Sequence, residues 1–254
     1  MPSTSNNSFQ RGAPEKARLS ICPEVSVGDW VRESLVPWIA FSEKPMTTGS
    51  IIPKGFESYV LIRHTGEGDY QGALGPKTLE TLLSVLSKFT NTPDHCVHAM
   101  WEGFGWGNPG VPFSSVRQSR LTRFFQTYRL RYGSYPRHRK RIQPIVDPDL
   151  HTLPTAIANS ELFTLPYRNY LLAQGPLTEA MKIGHVRMGF FHPQSPNLLW
   201  PIDKSWILIT EIDFDITLIG GAEELVESIL RIESLTTERF LITDNVEKLR
   251  VVEP

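Results

Sequence analysis

One alternating segment, residues 206–219, constrains the fold of this 254-residue chain more than any other stretch. Every second residue from its first tryptophan is apolar except Thr210, whereas the intervening face carries Glu211, Asp213 and Asp215. Such alternation in β-branched and aromatic residues is typical of a half-buried β-strand. The segment is longer than the usual strand of about 5–6 residues. We therefore expect a break or a tight turn near its acidic residues.

The three carboxylates of this segment are the first candidates for a functional site. On an unbroken strand they would share one face at intervals of roughly 7 Å. That arrangement would need a cation, basic partners or open water. A turn at residues 214–215 would scatter them and leave an acidic hairpin end. We favour the hairpin and expect neither a metal nor another cofactor; a metal or ligand site is the alternative.

Four stretches carry a resemblance to a known family. They are GSIIPKGFESYVLIRH (49–64), TPDHCVHAMWEGFGW (92–106), LPYRNYLLAQGPL (165–177) and SPNLLWPIDKSWILITEIDFDITLIGG (195–221). They resemble a family of uncharacterised bacterial proteins, mostly of actinobacterial type. Its motifs are G-F-E-x-Y, W-E-G-x-G-W, L-P-x-R-x-Y and S-P-x-L-W-W-P-x-D-R-x-W, followed by T-E-I-D. The resemblance implies one shared fold and no activity.

The chain departs from the last of these motifs at several positions. This chain has Leu199 at the position of the first tryptophan of the motif, and it has Lys204 at the position of the arginine. Leu218 and Ile219 precede the two glycines, where the family has V-G-G.

Composition and local patterns together predict the fold class. Residues 76–89 have leucines at helical spacing after Gly-Pro, and residues 96–101 have the pattern of a strand. Two further short strands are expected within 161–172 and another at 239–243, and a helix is expected after residue 221. We predict an α+β protein with a mainly antiparallel or mixed sheet and a few packed helices. Residues 19–254 would form a single domain behind a disordered tail, residues 1–18.

The charge distribution predicts an insertion around residues 107–147. No acidic residue lies between Glu102 and Asp147, and the 117–141 stretch mixes arginines with aromatic residues. Residues 203–254, in contrast, contain 12 acidic and 5 basic residues. Basic side chains interleaved with aromatic side chains could bind single-stranded nucleic acid. No nucleic-acid motif accompanies the stretch, so we favour an arm against the acidic face or a self-association surface.

Cellular location follows from what the sequence contains and lacks. The formal net charge is −1, and two cysteines are too few for a disulfide framework. No apolar run has the length of a membrane-spanning helix, and no signal peptide is evident. We expect a cytoplasmic protein without a membrane partner.

Carboxylates next to large rings are the remaining candidates for a site. Trp101, Glu102 and Trp106 form one group, and Trp200, Asp203 and Trp206 form another. Aromatic rings exclude water and raise the pKa of a carboxyl group, which suits general acid catalysis. The same residues also describe a packed corner in which Asp203 accepts backbone N–H bonds. The complete candidate set is Trp101, Glu102, Trp106, Arg168, Trp200, Asp203, Trp206, Glu211 and Asp213, with Arg168 as the cationic partner.

Two function classes remain. We favour a non-catalytic protein-binding module, of the kind in which an immunity protein neutralises a toxin, because opposed charge segments suit selective binding. A homo-oligomer is a further alternative. The second class is a hydrolase or metal-assisted enzyme that uses Glu102, Asp203 and Glu211. Nucleic-acid binding through residues 117–141 ranks last.

Overall fold

A computed structural model describes residues 17–38, 45–104, 160–166, 168–187 and 190–246. The predicted insertion at 107–147 and residues 1–16 of the predicted tail therefore lie outside the described residues. Ala17 and Arg18, which the sequence assigns to that tail, belong to the folded structure. The side chain of Ala17 is buried, and the backbone N–H of Arg18 donates to Glu179 Oε2 at 2.7 Å.

The described residues contain eleven strands and three α-helices. The strands are β1 (Ser20–Ile21), β2 (Ser58–Arg63), β3 (Cys96–Trp101), β4 (Phe163–Leu165), β5 (Arg168–Gly175), β6 (Gly184–Arg187), β7 (Phe190–Pro193), β8 (Leu198–Pro201), β9 (Ile207–Thr210), β10 (Ile216–Gly221) and β11 (Thr236–Arg239). The helices are α1 (Asp29–Ser34), α2 (Pro76–Leu86) and α3 (Glu223–Leu230), with a 3₁₀ helix at Leu177–Lys182. No helix among these residues is both long and apolar enough to cross a membrane.

Nine of these strands form one open sheet. Its order is β1-β5-β3-β8-β9-β10-β2-β11, and β4 pairs with β5 beside β1. Every strand pair in the described part of the chain is antiparallel. The α+β class with a mainly antiparallel sheet and a few helices is thus confirmed. β6 and β7 form a separate hairpin.

The long alternating segment is a hairpin in the middle of this sheet. Strand β9 ends at Thr210, residues 211–215 turn, and β10 begins at Ile216. Thr210 pairs with Thr217 across the hairpin. The predicted break is confirmed, but the prediction of a half-buried strand is wrong. Every residue of β9 and β10 is buried, on both faces.

Both faces are buried because each face of the sheet has its own cover. Helices α2 and α3 and the 3₁₀ helix pack on one face, where their leucines meet Val60, Ile62 and Leu208. The other face is covered by α1 and by irregular chain that includes Ile51, Ile52 and Phe240. In an antiparallel sheet with one solvent-exposed face, apolar and polar residues alternate along each strand. Here the uncharged polar residues Thr210 and Thr217 are also inside.

Helix α2 begins where its sequence predicts but ends at Leu86, and a 3₁₀ helix, Ser87–Phe89, occupies the rest of the predicted segment. Pro76 occupies its first turn, where the missing N–H costs nothing. Its core-facing leucines are all buried: Leu79, Leu82, Leu83 and Leu86. The final strand differs from the prediction, because β11 covers 236–239 rather than 239–243. Its partner β2 pairs Thr236 with Arg63, and this register sets the position of β11.

Strands β2 and β3 run in the same direction, because four antiparallel pairings separate them along the sheet. Helix α2 connects them across one face. The last residues of β2, β3 and β9 therefore lie at the same end of the sheet, which we call the carboxylate end. The opposite end, where β8 finishes and β9 begins, we call the tryptophan end.

We expect Leu83→Ala to lower the free energy of unfolding by roughly 2–5 kcal/mol, because it removes buried methyl groups and leaves a cavity. Urea unfolding measures the loss. Glu80→Ala on the exposed side of α2 is the matched control, with an expected change within about 0.5 kcal/mol. Equal effects of the two substitutions would mean that Leu83 does not face the core.

Candidate functional site

The predicted site residues are divided between the two ends of the sheet. Trp101, Glu102, Arg168, Glu211 and Asp213 lie at the carboxylate end, whereas Trp200, Asp203 and Trp206 lie at the tryptophan end. Trp106 lies outside the described residues. One site that combines all of these residues is therefore not formed.

Arg168 organises the carboxylate end. Its Nη2 donates to Glu211 Oε1 at 2.8 Å and to Asp213 Oδ2 at 2.5 Å. Burial opposes the charge of Arg168, but the two carboxylates outweigh it and raise the pKa of the guanidinium. The guanidinium thus supplies the basic partner that these acids need. It also joins the first residue of β5 to the β9–β10 turn.

Glu102 belongs to a different contact at the same end. Asn169 Nδ2 donates to Glu102 Oε1 at 2.8 Å. Because successive side chains of a strand point to opposite faces, Asn169 and Arg168 project to different sides of the sheet. Glu102 therefore does not join the Arg168 cluster.

Asp203 at the tryptophan end is a turn residue. Its Oδ2 accepts from Thr90 Oγ1 at 2.7 Å and from the Asn91 N–H at 2.8 Å. Its Oδ1 accepts from both the backbone and the hydroxyl of Ser205. Partial burial opposes the charge of Asp203, but these hydrogen bonds outweigh it and lower its pKa. A carboxylate with four donors and a lowered pKa stabilises the corner and is a poor general acid.

The three carboxylates of the predicted enzyme do not meet. Asp203 precedes β9 and Glu211 follows it, so the full length of that strand lies between them. Glu102 contacts Asn169 rather than Glu211. A paired-carboxylate mechanism with Glu102, Asp203 and Glu211 therefore has no geometric basis in this fold.

The tryptophan end is built around two buried indoles and a third that the sequence did not single out. Trp200 and Trp206 are almost fully buried. Trp30 of α1 packs edge-on against Trp200, with ring centroids 6.1 Å apart and an interplanar angle of 79°. Lys204 Nζ lies 5.5 Å from the centroid of the Trp30 ring, a cation–π contact. Trp30 carried no sequence signal beyond its place on a short helix.

The backbone of Lys204 explains how this side chain reaches Trp30. Lys204 has φ of +56°, the left-handed region that residues with a Cβ rarely adopt. Its N–H donates to the carbonyl of Pro201 at 2.9 Å. The tight turn between β8 and β9 therefore determines the position of Lys204.

An open groove of about 370 Å³ lies between α1 and this turn. We call it the Trp30 groove. Its lining consists of Ser26, Val27, Asp29, Trp30, Glu33, Trp200, Ile202 and Lys204. Ile202 is one of the few large apolar residues of the described chain that remain exposed, at 39%. The groove thus has an aromatic floor and a charged rim.

A hydrogen-bonded chain at the carboxylate end also escaped the sequence patterns. His64 Nδ1 lies 3.0 Å from the carbonyl of Tyr70, and its Nε2 lies 2.9 Å from Thr217 Oγ1. Thr217 Oγ1 in turn lies 2.9 Å from Thr210 Oγ1. A neutral His64 with its proton on Nδ1 satisfies all three contacts. Burial lowers the pKa of His64, and Asp69 and Asp215 only partly oppose that effect.

Among the described residues, no group of three or more His, Cys, Asp or Glu side chains has a metal-binding arrangement. The Glu211–Asp213 pair, which was the best candidate, is neutralised by Arg168 instead. Cys96 and His98, two residues apart on β3, are both fully buried.

The fold and this geometry define an α+β protein with a nine-stranded open sheet and an aromatic groove at one end. No protein-family model matches the chain, and no curated protein or solved structure matches it significantly. The resemblance to uncharacterised bacterial proteins therefore stays a prediction.

We expect Arg168→Met to destabilise the protein by roughly 2–4 kcal/mol, because it leaves the largely buried carboxylate of Glu211 without its partner. Asp213→Asn is the control. The Asp213 side chain is 64% exposed, and such a pair contributes at most about 1 kcal/mol. Chemical unfolding of both variants tests the ranking, and a larger loss in Asp213→Asn would contradict it.

We expect no rise in melting temperature with millimolar Mn²⁺, because Arg168 occupies the position that a cation would need between Glu211 and Asp213. Thermal unfolding with and without the ion provides the measurement. A rise that Asp213→Asn abolishes would show that these carboxylates bind metal.

Acid should destabilise the protein through His64. Its pKa is lowered in the folded state, so below the ordinary value of about 6.5 the unfolded chain binds a proton that the folded chain does not. Stability from this group is complete above pH 6.5 and falls as the pH decreases below it. The slope is at most about 1.4 kcal/mol per pH unit.

His64→Gln should remove this part of the pH dependence. Urea unfolding of both proteins between pH 5 and pH 8 provides the comparison, and other titrating groups cancel in the difference. Parallel curves for the two proteins would show that His64 does not titrate in this way.

Proposed function

We propose that this protein is a non-catalytic, cytoplasmic protein-binding module. In this proposal the chain from residue 17 onward forms one α+β domain, and the partner is a protein, such as a toxin that an immunity-type protein neutralises. The observation that carries the proposal is the Trp30 groove. It joins an aromatic floor to an exposed Ile202 and a charged rim.

This composition is the one expected of a binding hot spot. Hot spots are enriched in tryptophan and arginine and lie in pockets that exclude water. Around them, interfaces have a polar rim. Trp30 is held by edge contacts with Trp200 and with Phe56. A floor of this rigidity loses little conformational entropy when a partner binds.

The chemistry of the potential nucleophiles and bases also supports a non-catalytic role. Burial raises the pKa of Cys22 to about 11 and that of Cys96 to about 12. Both thiols are therefore protonated at neutral pH, and a thiol is a poor nucleophile. Burial lowers the pKa of His98 to about 4, and this side chain is inaccessible to a substrate.

The groove can be tested with matched substitutions of exposed apolar residues. Ile202→Glu places a charge in the groove, whereas Leu241→Glu changes an apolar residue that is 66% exposed and does not line it. The wild-type protein and both variants are immobilised, and proteins from cells of the source organism are captured. We expect a partner that the wild-type protein and Leu241→Glu retain and that Ile202→Glu loses.

The captured partner is then purified and titrated against each variant by calorimetry. Ile202→Glu should weaken binding by at least about tenfold, which corresponds to roughly 1.4 kcal/mol. Leu241→Glu should not weaken it. If binding does not depend on Ile202, the groove is not the binding site and the proposal fails.

A further inference from the structure

We propose that the Trp30 groove is a binding site for a guanidinium group, supplied by an arginine side chain of the protein partner. The origin of the arginine rests on the proposed function, whereas the site itself does not. Two features of the groove carry the inference: a displaceable lysine whose ammonium group already lies over the indole, and a carboxylate that lines the same groove.

The indole of Trp30 already faces a cation. Lys204 Nζ lies 5.5 Å from the ring centroid, within the range in which a cation is attracted to the face of an aromatic ring. Tryptophan is the aromatic side chain best suited to this interaction. The contacts of Trp30 with Trp200 and Phe56 keep the plane of the ring in place.

A carboxylate lies next to this ring. Glu33 follows Trp30 by three residues on α1, a spacing that puts two side chains on the same side of a helix. Both residues line the groove. Asp29, the other acid of the lining, accepts from Arg32 Nη2 at 2.6 Å. We therefore assign Glu33 as the acid that pairs with an incoming cation.

Lys204 acts as an internal competitor in this site. Its ammonium group is strongly hydrated and sits on a flexible stem, so it can return to water at little cost. A guanidinium is planar and less hydrated, stacks on an indole and pairs with a carboxylate through two N–H groups. An arginine should therefore displace Lys204, which then leaves one aromatic face and one acid for the ligand.

The charge of the groove favours this occupant over others. The carboxylate of Glu33 would repel an anionic group. A purely apolar side chain could fill the space above Trp30, but it would bury Glu33 without a partner, which costs free energy. A guanidinium can stack on the indole of Trp30 and pair with the carboxylate of Glu33 at the same time.

The test uses N-acetyl-arginine amide as the probe and N-acetyl-citrulline amide as its uncharged isostere. Binding is followed by the indole N–H signal of Trp30 in ¹H–¹⁵N NMR spectra, which Trp30→Phe assigns. We expect the arginine probe to shift this signal in a saturable manner and the citrulline probe to leave it unchanged. The lysine analogue should bind more weakly than the arginine probe.

Two substitutions distinguish the roles of the charged residues. Lys204→Ala removes the competitor and should tighten binding of the arginine probe by about two- to fivefold, the range of an exposed cation–π contact. Glu33→Gln should weaken binding by a similar factor. Glu80→Gln, an exposed acid on α2, is the control for a general charge effect and should change nothing.

Each outcome is decisive. Equal shifts with arginine and citrulline, or weaker binding by Lys204→Ala, would overturn the guanidinium site. If the arginine probe binds as expected but no partner depends on Ile202, the site stands and the proposed function fails. If a partner depends on Ile202 and the arginine probe does not bind, the binding function stands and this inference fails.

Discussion

Burial of the central strands on both faces is the constraint on which the rest of the structure depends. Strands β9 and β10 have no residue in contact with bulk water, so each face of the sheet needs its own cover. Helices α2 and α3 supply one cover, and α1 with the neighbouring irregular chain supplies the other. The candidate site residues that the structure describes lie at the two ends of the sheet.

The two ends use their charged residues differently. At the carboxylate end, Arg168 neutralises Glu211 and Asp213 and ties the central hairpin to β5. A buried pair of this kind adds little net stability over an apolar substitute, but the loss of one partner is costly. At the tryptophan end, Lys204 Nζ lies over the partly buried indole of Trp30. The first arrangement serves the fold, whereas the second is the contact on which the proposed binding site depends.

Several elements could be predicted because their signals are local. The stripe of leucines after Gly75-Pro76 specified α2, since helical periodicity and a proline at the start act within a few residues. The excess length and the acids of segment 206–219 specified a hairpin. The motif residues Trp200 and Asp203 were correctly read as a packed corner with backbone hydrogen bonds. In contrast, the position of β11 depended on pairing with β2, for which residues 236–243 carry no local signal.

The sequence by itself determined most element types and the core face of α2, because each depends on neighbouring residues. Only the tertiary structure decided which of these residues meet. Trp30 and Lys204 are separated by more than 170 positions in the chain, and their contact exists because α1 covers the face of the sheet at the turn after β8. Likewise, Asp203 and Glu211 are near in sequence but lie at opposite ends of β9, because an extended strand carries consecutive residues steadily apart.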